Sequence, residues 1–144
     1  MTTVVPFTAQ LNQLSQFFLG LTQQYHRLII IVGKHGKGKT RLLKSFCRQK
    51  NIPYLNVNLR LGQRLLNLTT KQRPLRVLDN IELLFDPTLH QDPLALLKEL
   101  SRNRSLIVAW AGTYDDKRQV LTYAEPGHPE YRHYERPDVT IMTR

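Results

Sequence analysis

The run Arg27-Leu28-Ile29-Ile30-Ile31-Val32 is short, rich in β-branched residues and apolar at every position after the arginine. Alternate residues of a strand point to opposite faces, so such a run predicts a strand buried on both sides, as in a parallel sheet. It passes directly into Gly33-Lys34-His35-Gly36-Lys37-Gly38-Lys39-Thr40. From Lys39 to Lys50, Leu42, Leu43, Phe46 and Cys47 then fall on one helical face. Buried strand, glycine-rich loop and amphipathic helix in this order predict an α/β fold, because a parallel strand is reached only through a crossover, usually helical.

The loop fits the pattern G-x-x-x-x-G-K-S/T, a P-loop. Its glycines, Gly33, Gly36 and Gly38, let the chain curl so that backbone N–H groups converge on phosphate oxygens. The loop ends at a helix N-terminus, whose unpaired amides and dipole also favour an anion. Lys39 is placed to reach the outer phosphates and Thr40 to offer a hydroxyl to a magnesium ion. Lys34, Lys37 and the following Arg41 add positive charge, and His35 fills the loop. The expected ligand is ATP, or a close relative, with Mg2+.

Such a site needs a carboxylate from the end of a second buried strand. Leu75-Arg76-Val77-Leu78-Asp79 supplies one, which makes Asp79 the second metal residue beside Thr40. Many P-loop ATPases carry next a glutamate that polarises the attacking water. Here that residue is Asn80, a poor base, and Glu82 is the nearest alternative carboxylate. Glu82 has a second reading as an acid that complements the dipole of a helix N-terminus. Thr113 follows the apolar strand Ser105-Leu106-Ile107-Val108-Ala109-Trp110-Ala111, where ring-type P-loop ATPases keep a polar sensor of the γ-phosphate. Trp110 reads as packing. Slow hydrolysis by the isolated chain is expected.

The rest of the chain predicts a single domain of 144 residues, with an N-terminal helical part over 1–26 and a nucleotide-binding core over 27–144. Leu11, Leu14, Phe17, Phe18 and Leu21 give residues 8–25 a helical stripe, Pro53 to Val57 a second strand, and Leu59 to Leu68 a short helix. Asp92-Pro93 opens a further helix, with Asp92 placed to cap it. Gln119 to Tyr123 reads as an edge strand, Glu125 to Pro137 as a structured loop, and Val139 to Met142 as a fifth parallel strand. The expected sheet thus has about five strands with helices on both faces, and no helical lid follows it; its AAA+-like, ASCE type is what a resemblance to known P-loop ATPases implies. No apolar run approaches the roughly 18 residues of a membrane span, and no secretory signal opens the chain. The single cysteine, Cys47, sits on the apolar face of its helix and reads as core, and a reduced cytoplasmic setting follows.

Lysine and arginine number 21 against 11 aspartates and glutamates, a formal net charge of +10. Two readings stand open. Part of the charge serves nucleotide phosphates while the rest is a solvated face, or the surface contacts nucleic acid with little sequence preference. Arg102, Arg104, Arg132 and Arg136 are candidate contacts for the second. Arg132 and Arg136 also lie where ring-forming relatives place an arginine that reaches the γ-phosphate of a neighbouring subunit.

The P-loop, the segment Pro53-Tyr54-Leu55-Asn56-Val57-Asn58, the segment from Asp79 to Asp86, Leu100-Ser101-Arg102-Asn103-Arg104 and the segment from Pro126 to Tyr131 together resemble BrxF, the small P-loop ATPase of type III BREX bacteriophage-exclusion systems. The resemblance runs from about Leu28 to the C-terminus. It implies an AAA+-like core in anti-phage defence, with other BREX proteins, a methyltransferase and larger ATPases among them, as partners and with self-association as an option. Three functions compete: an ATPase or ATP switch inside an assembly, a DNA-binding module whose nucleotide is structural, and a small-molecule kinase, for which 144 residues leave little room.

Overall fold

Every residue of β1, Leu28–Val32, is buried, and so is every residue of β4, Ser105–Trp110. The two pair in parallel with Ile30 opposite Val108. They form the centre of the fold in the computed structural model, which describes residues 7–21, 26–33, 38–52, 54–56, 75–79, 81–90, 92–102 and 105–143. Around them come α1 (Phe7–Gly20), α2 (Lys39–Lys50), β2 (Tyr54–Asn56), β3 (Leu75–Asp79), two 3-10 turns (Ile81–Phe85 and Pro87–Leu89), α3 (Pro93–Leu100), β5 (Gly112–Asp115), β6 (Val120–Tyr123), β7 (Arg132–Glu135) and β8 (Thr140–Thr143). The short helix expected over residues 59–68 lies outside the described residues.

The main sheet is five-stranded and parallel, in the order β2-β3-β4-β1-β8. Strand alternation divides its side chains between two cores. Leu28, Ile30 and Val32 join Leu106, Val108 and Trp110 on one face, covered by Ile81, Leu84 and Phe85 of the first 3-10 turn and by Leu94 and Leu97 of α3. Ile29 and Ile31 join Ile107 and Ala109 on the other, covered by Leu14 of α1 and by Leu42, Leu43, Phe46 and Cys47 of α2. Helices on both faces explain why the central strands are apolar throughout. Among the described residues no helix is long and apolar enough to cross a membrane.

A second sheet was not foreseen. β5, β6 and β7 form a three-stranded antiparallel meander with β6 at its centre. Residues 120–123 are therefore its middle strand rather than an edge, and the expected loop over 125–137 contains β7. The meander is held by aromatic packing. Tyr123 stacks on Phe85 with centroids 3.6 Å apart, and Phe85 meets Trp110 edge to face at 5.0 Å. The Trp110 indole Nε1–H donates to the Thr122 carbonyl at 2.9 Å. Asp92 does stand at the N-terminus of α3, but its side chain caps nothing there. Its carboxylate accepts instead from the Tyr134 hydroxyl at 2.5 Å, which ties α3 to the meander.

Candidate functional site

In a parallel sheet all strands end on the same side, so the ends of β1, β3 and β4 share one edge. The Gly33 N–H donates to the Trp110 carbonyl at 3.1 Å, which fastens the chain leaving β1 to the end of β4. Residues 34–37, with Lys34, His35, Gly36 and Lys37, lie outside the described residues. Gly38 resumes at φ 81°, a left-handed conformation that suits glycine, and α2 starts directly after it. No side chain caps α2, so its first turn keeps the anion-attracting character of a helix N-terminus.

Lys39 is buried at 8 % exposure, and its ammonium donates to the Gly33 carbonyl at 2.5 Å. Burial lowers its pKa, while Asp79 and Glu82 act in the opposite sense. The lysine is thus a desolvated cation folded back on its own loop, with two carboxylates nearby. Asp79, at 3 % exposure, ends β3. Its Oδ2 accepts from the Thr40 hydroxyl at 2.5 Å and from the Tyr54 hydroxyl at 2.6 Å. The helix after β1 and the end of β3 are separated in the sheet by β4, yet their side chains meet over its end. The cleft they enclose has a volume of about 740 Å³ and is lined by Gly38, Lys39, Thr40, Arg41, Lys44, Ser45, Arg48, Asp79, Glu82 and Ala109. That volume lies in the range of small-molecule sites.

Two expected residues therefore join the cleft directly, Thr40 and Asp79, and Lys39, Arg41 and Glu82 line it with them. Glu82 is half-buried in the first 3-10 turn. Asn80 lies outside the described residues. Thr113 stands in β5, exposed, with its hydroxyl engaged to that of Thr122 across the hairpin, and it does not line the cleft. At the end of β4 it is Ala109 that does. Arg132 is half-buried in β7 and donates to the Tyr131 carbonyl at 3.1 Å. Arg136 is exposed beyond β7, beside Tyr114, Gln119 and Pro137. Neither borders the cleft. Arg102 pairs with Glu99 at 3.4 Å at the opposite, N-terminal side of β4.

Tyr54 is the residue that sequence reasoning missed. β2 pairs with β3 so that Tyr54 stands opposite Val77, two residues from Asp79 and on the same face. Lys44 of α2 lies over its ring, 5.3 Å from the centroid. Burial, and then the bond to Asp79, push the phenol well above its usual range, so it remains a donor. The one available signal was a hydroxyl-bearing residue in the segment read as the second strand.

A scan of the chain against protein-family models finds no match, and a search of curated proteins finds none. Among solved structures the chain is similar to the structure of PCH-2 from C. elegans, at 13% identity and a TM-score of 0.49. The similarity covers 95% of this chain and 42% of that one, so the chain spans less than half the length of its structural neighbour.

Proposed function

We propose that the cleft binds the phosphates of ATP with Mg2+, and that the chain is a P-loop nucleotide-binding domain of AAA+-like build that hydrolyses ATP slowly. One observation carries this reading: the Thr40 hydroxyl and the Asp79 carboxylate meet at 2.5 Å although they come from the helix after β1 and the end of β3. Together with the glycine-rich sequence between β1 and α2, this contact supports a P-loop site built from two halves.

The residues present suit a magnesium ion. Mg2+ takes oxygen ligands, keeps several waters and needs only one or two protein groups beside the phosphates. Thr40 and Asp79 supply a hydroxyl and a carboxylate at one point. The ion would neutralise phosphate charge when bound. The protein's own part is positional. Lys39, now donating to Gly33, has the length and charge to turn to an outer phosphate, and the phosphate would reverse the lowering of its pKa. The amides of α2 meet the anion with the positive pole of the helix. Glu82 stands in the cleft wall as the carboxylate able to orient water.

Arg132 and Arg136 do not border this chain's own cleft, so a role at phosphate requires a second copy that supplies the arginine in trans. Membership of a BREX defence assembly, and its proteins as partners, rest on the resemblance given above. The test of the nucleotide site is ligand stabilisation. ATP with Mg2+ at about 100 times its Kd stabilises a folded protein by about 2.7 kcal/mol, a rise in Tm of about 5 °C or more for a chain of this size. Lys39→Ala is expected to remove most of that rise. An undiminished rise in this variant overturns the reading.

A further inference from the structure

Acidic residues are absent from the first half of the chain. Residues 1–78 hold 13 of the 21 lysines and arginines and none of the 11 acidic residues, and the first carboxylate is Asp79 itself. Residues 79–144 hold the remaining 8 basic residues and all 11 acidic ones. The formal net charge of +10 is therefore not spread over the molecule. It is a segment of +13 joined to one of −3, and such asymmetry between halves marks a polyanion-binding face.

Five of the 13 cations lie on α2. Its twelve residues, KTRLLKSFCRQK, carry no acid. Leu42, Leu43, Phe46 and Cys47 turn inward, which leaves Arg41, Lys44 and Arg48 on the outer side at i, i+3 and i+7, all exposed. Residues so spaced are neighbours along one helix face. Seven residues of helix rise about 10 Å, so the three form a ridge of that length along the cleft wall, starting one residue after Thr40. Arg41, in the first turn, stands against the helix dipole. Among the described residues neither Lys44 nor Arg48 is in an ion pair. The undescribed segments 34–37 and 57–74 contain no carboxylate to offer. The two carboxylates in the cleft, Asp79 and Glu82, act on Lys39.

One triphosphate does not account for this ridge. Lys39 and the loop already answer its charge, and Arg48 is nine residues further along the helix, a rise of about 13 Å. We infer that the Arg41–Lys44–Arg48 ridge of α2 is the binding face for a nucleic-acid backbone, running on from the nucleotide cleft. A nucleic acid presents phosphates at regular short intervals, and a row of cations contacts them without reading sequence. Arg102 and Arg132 differ: the first is paired with Glu99, and the second lies in the half that carries every carboxylate.

Binding is measured without ATP, so its failure is distinct from failure of the nucleotide site. The probe is a fluorescent 30-base-pair duplex and its single strand, titrated at several salt concentrations. The full chain is expected to bind at low salt, with log Kobs falling steeply against log salt. Lys44→Gln with Arg48→Gln is expected to weaken binding at least tenfold and to flatten the slope by about two, one for each lost phosphate contact. Arg132→Gln with Arg136→Gln should stay within twofold of the wild type. As a measurement free of variants, ultraviolet cross-linking of a 5-bromodeoxyuridine strand to the wild type should place adducts within residues 39–78. No binding at low salt, an unchanged slope in the α2 variant, or adducts confined to 98–144 overturns the inference. Binding of polyglutamate as tight as that of DNA also overturns it, in favour of an acidic protein.

Discussion

The Tyr54 hydroxyl donates to Asp79 Oδ2 at 2.6 Å, on the same oxygen that Thr40 reaches at 2.5 Å. The carboxylate is therefore held from two sides, by β2 and by α2, before any ligand arrives. A hydrogen bond to a charged group contributes about 1.5 to 3 kcal/mol, enough to fix which way the carboxylate faces. Tyr54→Phe keeps the ring and its contact with Lys44 but frees one side of Asp79. ATP affinity in the presence of Mg2+ is expected to fall about tenfold, with ATP affinity in the absence of the metal nearly unchanged. Isothermal titration with and without Mg2+ separates the two. An equal loss in both would show that Tyr54 only supports packing.

Glu82 lines the cleft and acts electrostatically on Lys39. It follows Asn80, which cannot accept a proton, so any activation of water falls to a carboxylate displaced by two residues. Turnover by the isolated chain is expected below about 1 s⁻¹, under the ordinary enzyme range. Glu82→Gln, which keeps shape but loses charge, is expected to cut that rate at least tenfold while ATP still raises the Tm. Full retention of the rate in a phosphate-release assay would remove Glu82 from the chemistry.

How far the sequence reveals this site depends on whether each residue's task is local. Lys39 and Thr40 are set by a continuous strand, loop and helix, and Asp79 ends a second strand, so their meeting was expected from what a P-loop site requires of a carboxylate. Tyr54 was invisible because its role depends on β2 lying beside β3 in one register, a tertiary fact. The meander was missed for a related reason. β5 and β7 are four residues each, alternate between half-buried and exposed, and include Asp115, Arg132 and Glu135. Such strands exist because Tyr123, Tyr134 and Trp110 pack across elements, which no local pattern records. Asp92 likewise read as a cap because its partner, Tyr134, is 42 residues away.

Cys47 was expected in the core, and it is, at 5 % exposure. Burial pushes its thiol from 9.0 up to about 11. The folded state therefore holds the proton more tightly than the unfolded chain. The resulting stability is complete below about pH 9 and is lost as pH rises toward 11. Two pKa units correspond to roughly 2 to 3 kcal/mol. Wild-type Tm is expected to fall through this window, more steeply than that of Cys47→Ala, whose lower starting stability does not affect the slope. Tyr123, raised to about 12 by burial, should add a further decline that both proteins share. At pH 8 the native thiol should resist iodoacetamide and react only on unfolding. Parallel pH profiles for the two proteins would contradict this account.

Gly112 begins β5 two residues after Trp110, where the chain leaves the main sheet for the meander. A Cβ built there would lie 1.9 Å from the Thr122 carbonyl oxygen and 2.8 Å from Trp110 Nε1. The first of these is backbone, paired in register through Gly112 and Tyr123, and it cannot swing aside as a side chain could. Gly112→Ala must therefore part β5 from β6 and break the 2.9 Å bond between Trp110 Nε1 and the Thr122 carbonyl. Overpacking costs about 1 to 3 kcal/mol, and a buried donor left without its acceptor about 1 to 3 more. The Tm is expected to fall by about 4 °C or more, given roughly 2 to 4 °C per kcal/mol at this size. Gly20→Ala, where a Cβ meets nothing within 4 Å at the end of α1, is the control. It should leave the Tm unchanged or raise it slightly, since alanine favours helix. If both variants melt with the wild type, the meander does not dock on the main sheet as described. If only Gly112→Ala falls, the space kept open at Gly112 is what lets Trp110 of the main sheet bond to Thr122 of the meander.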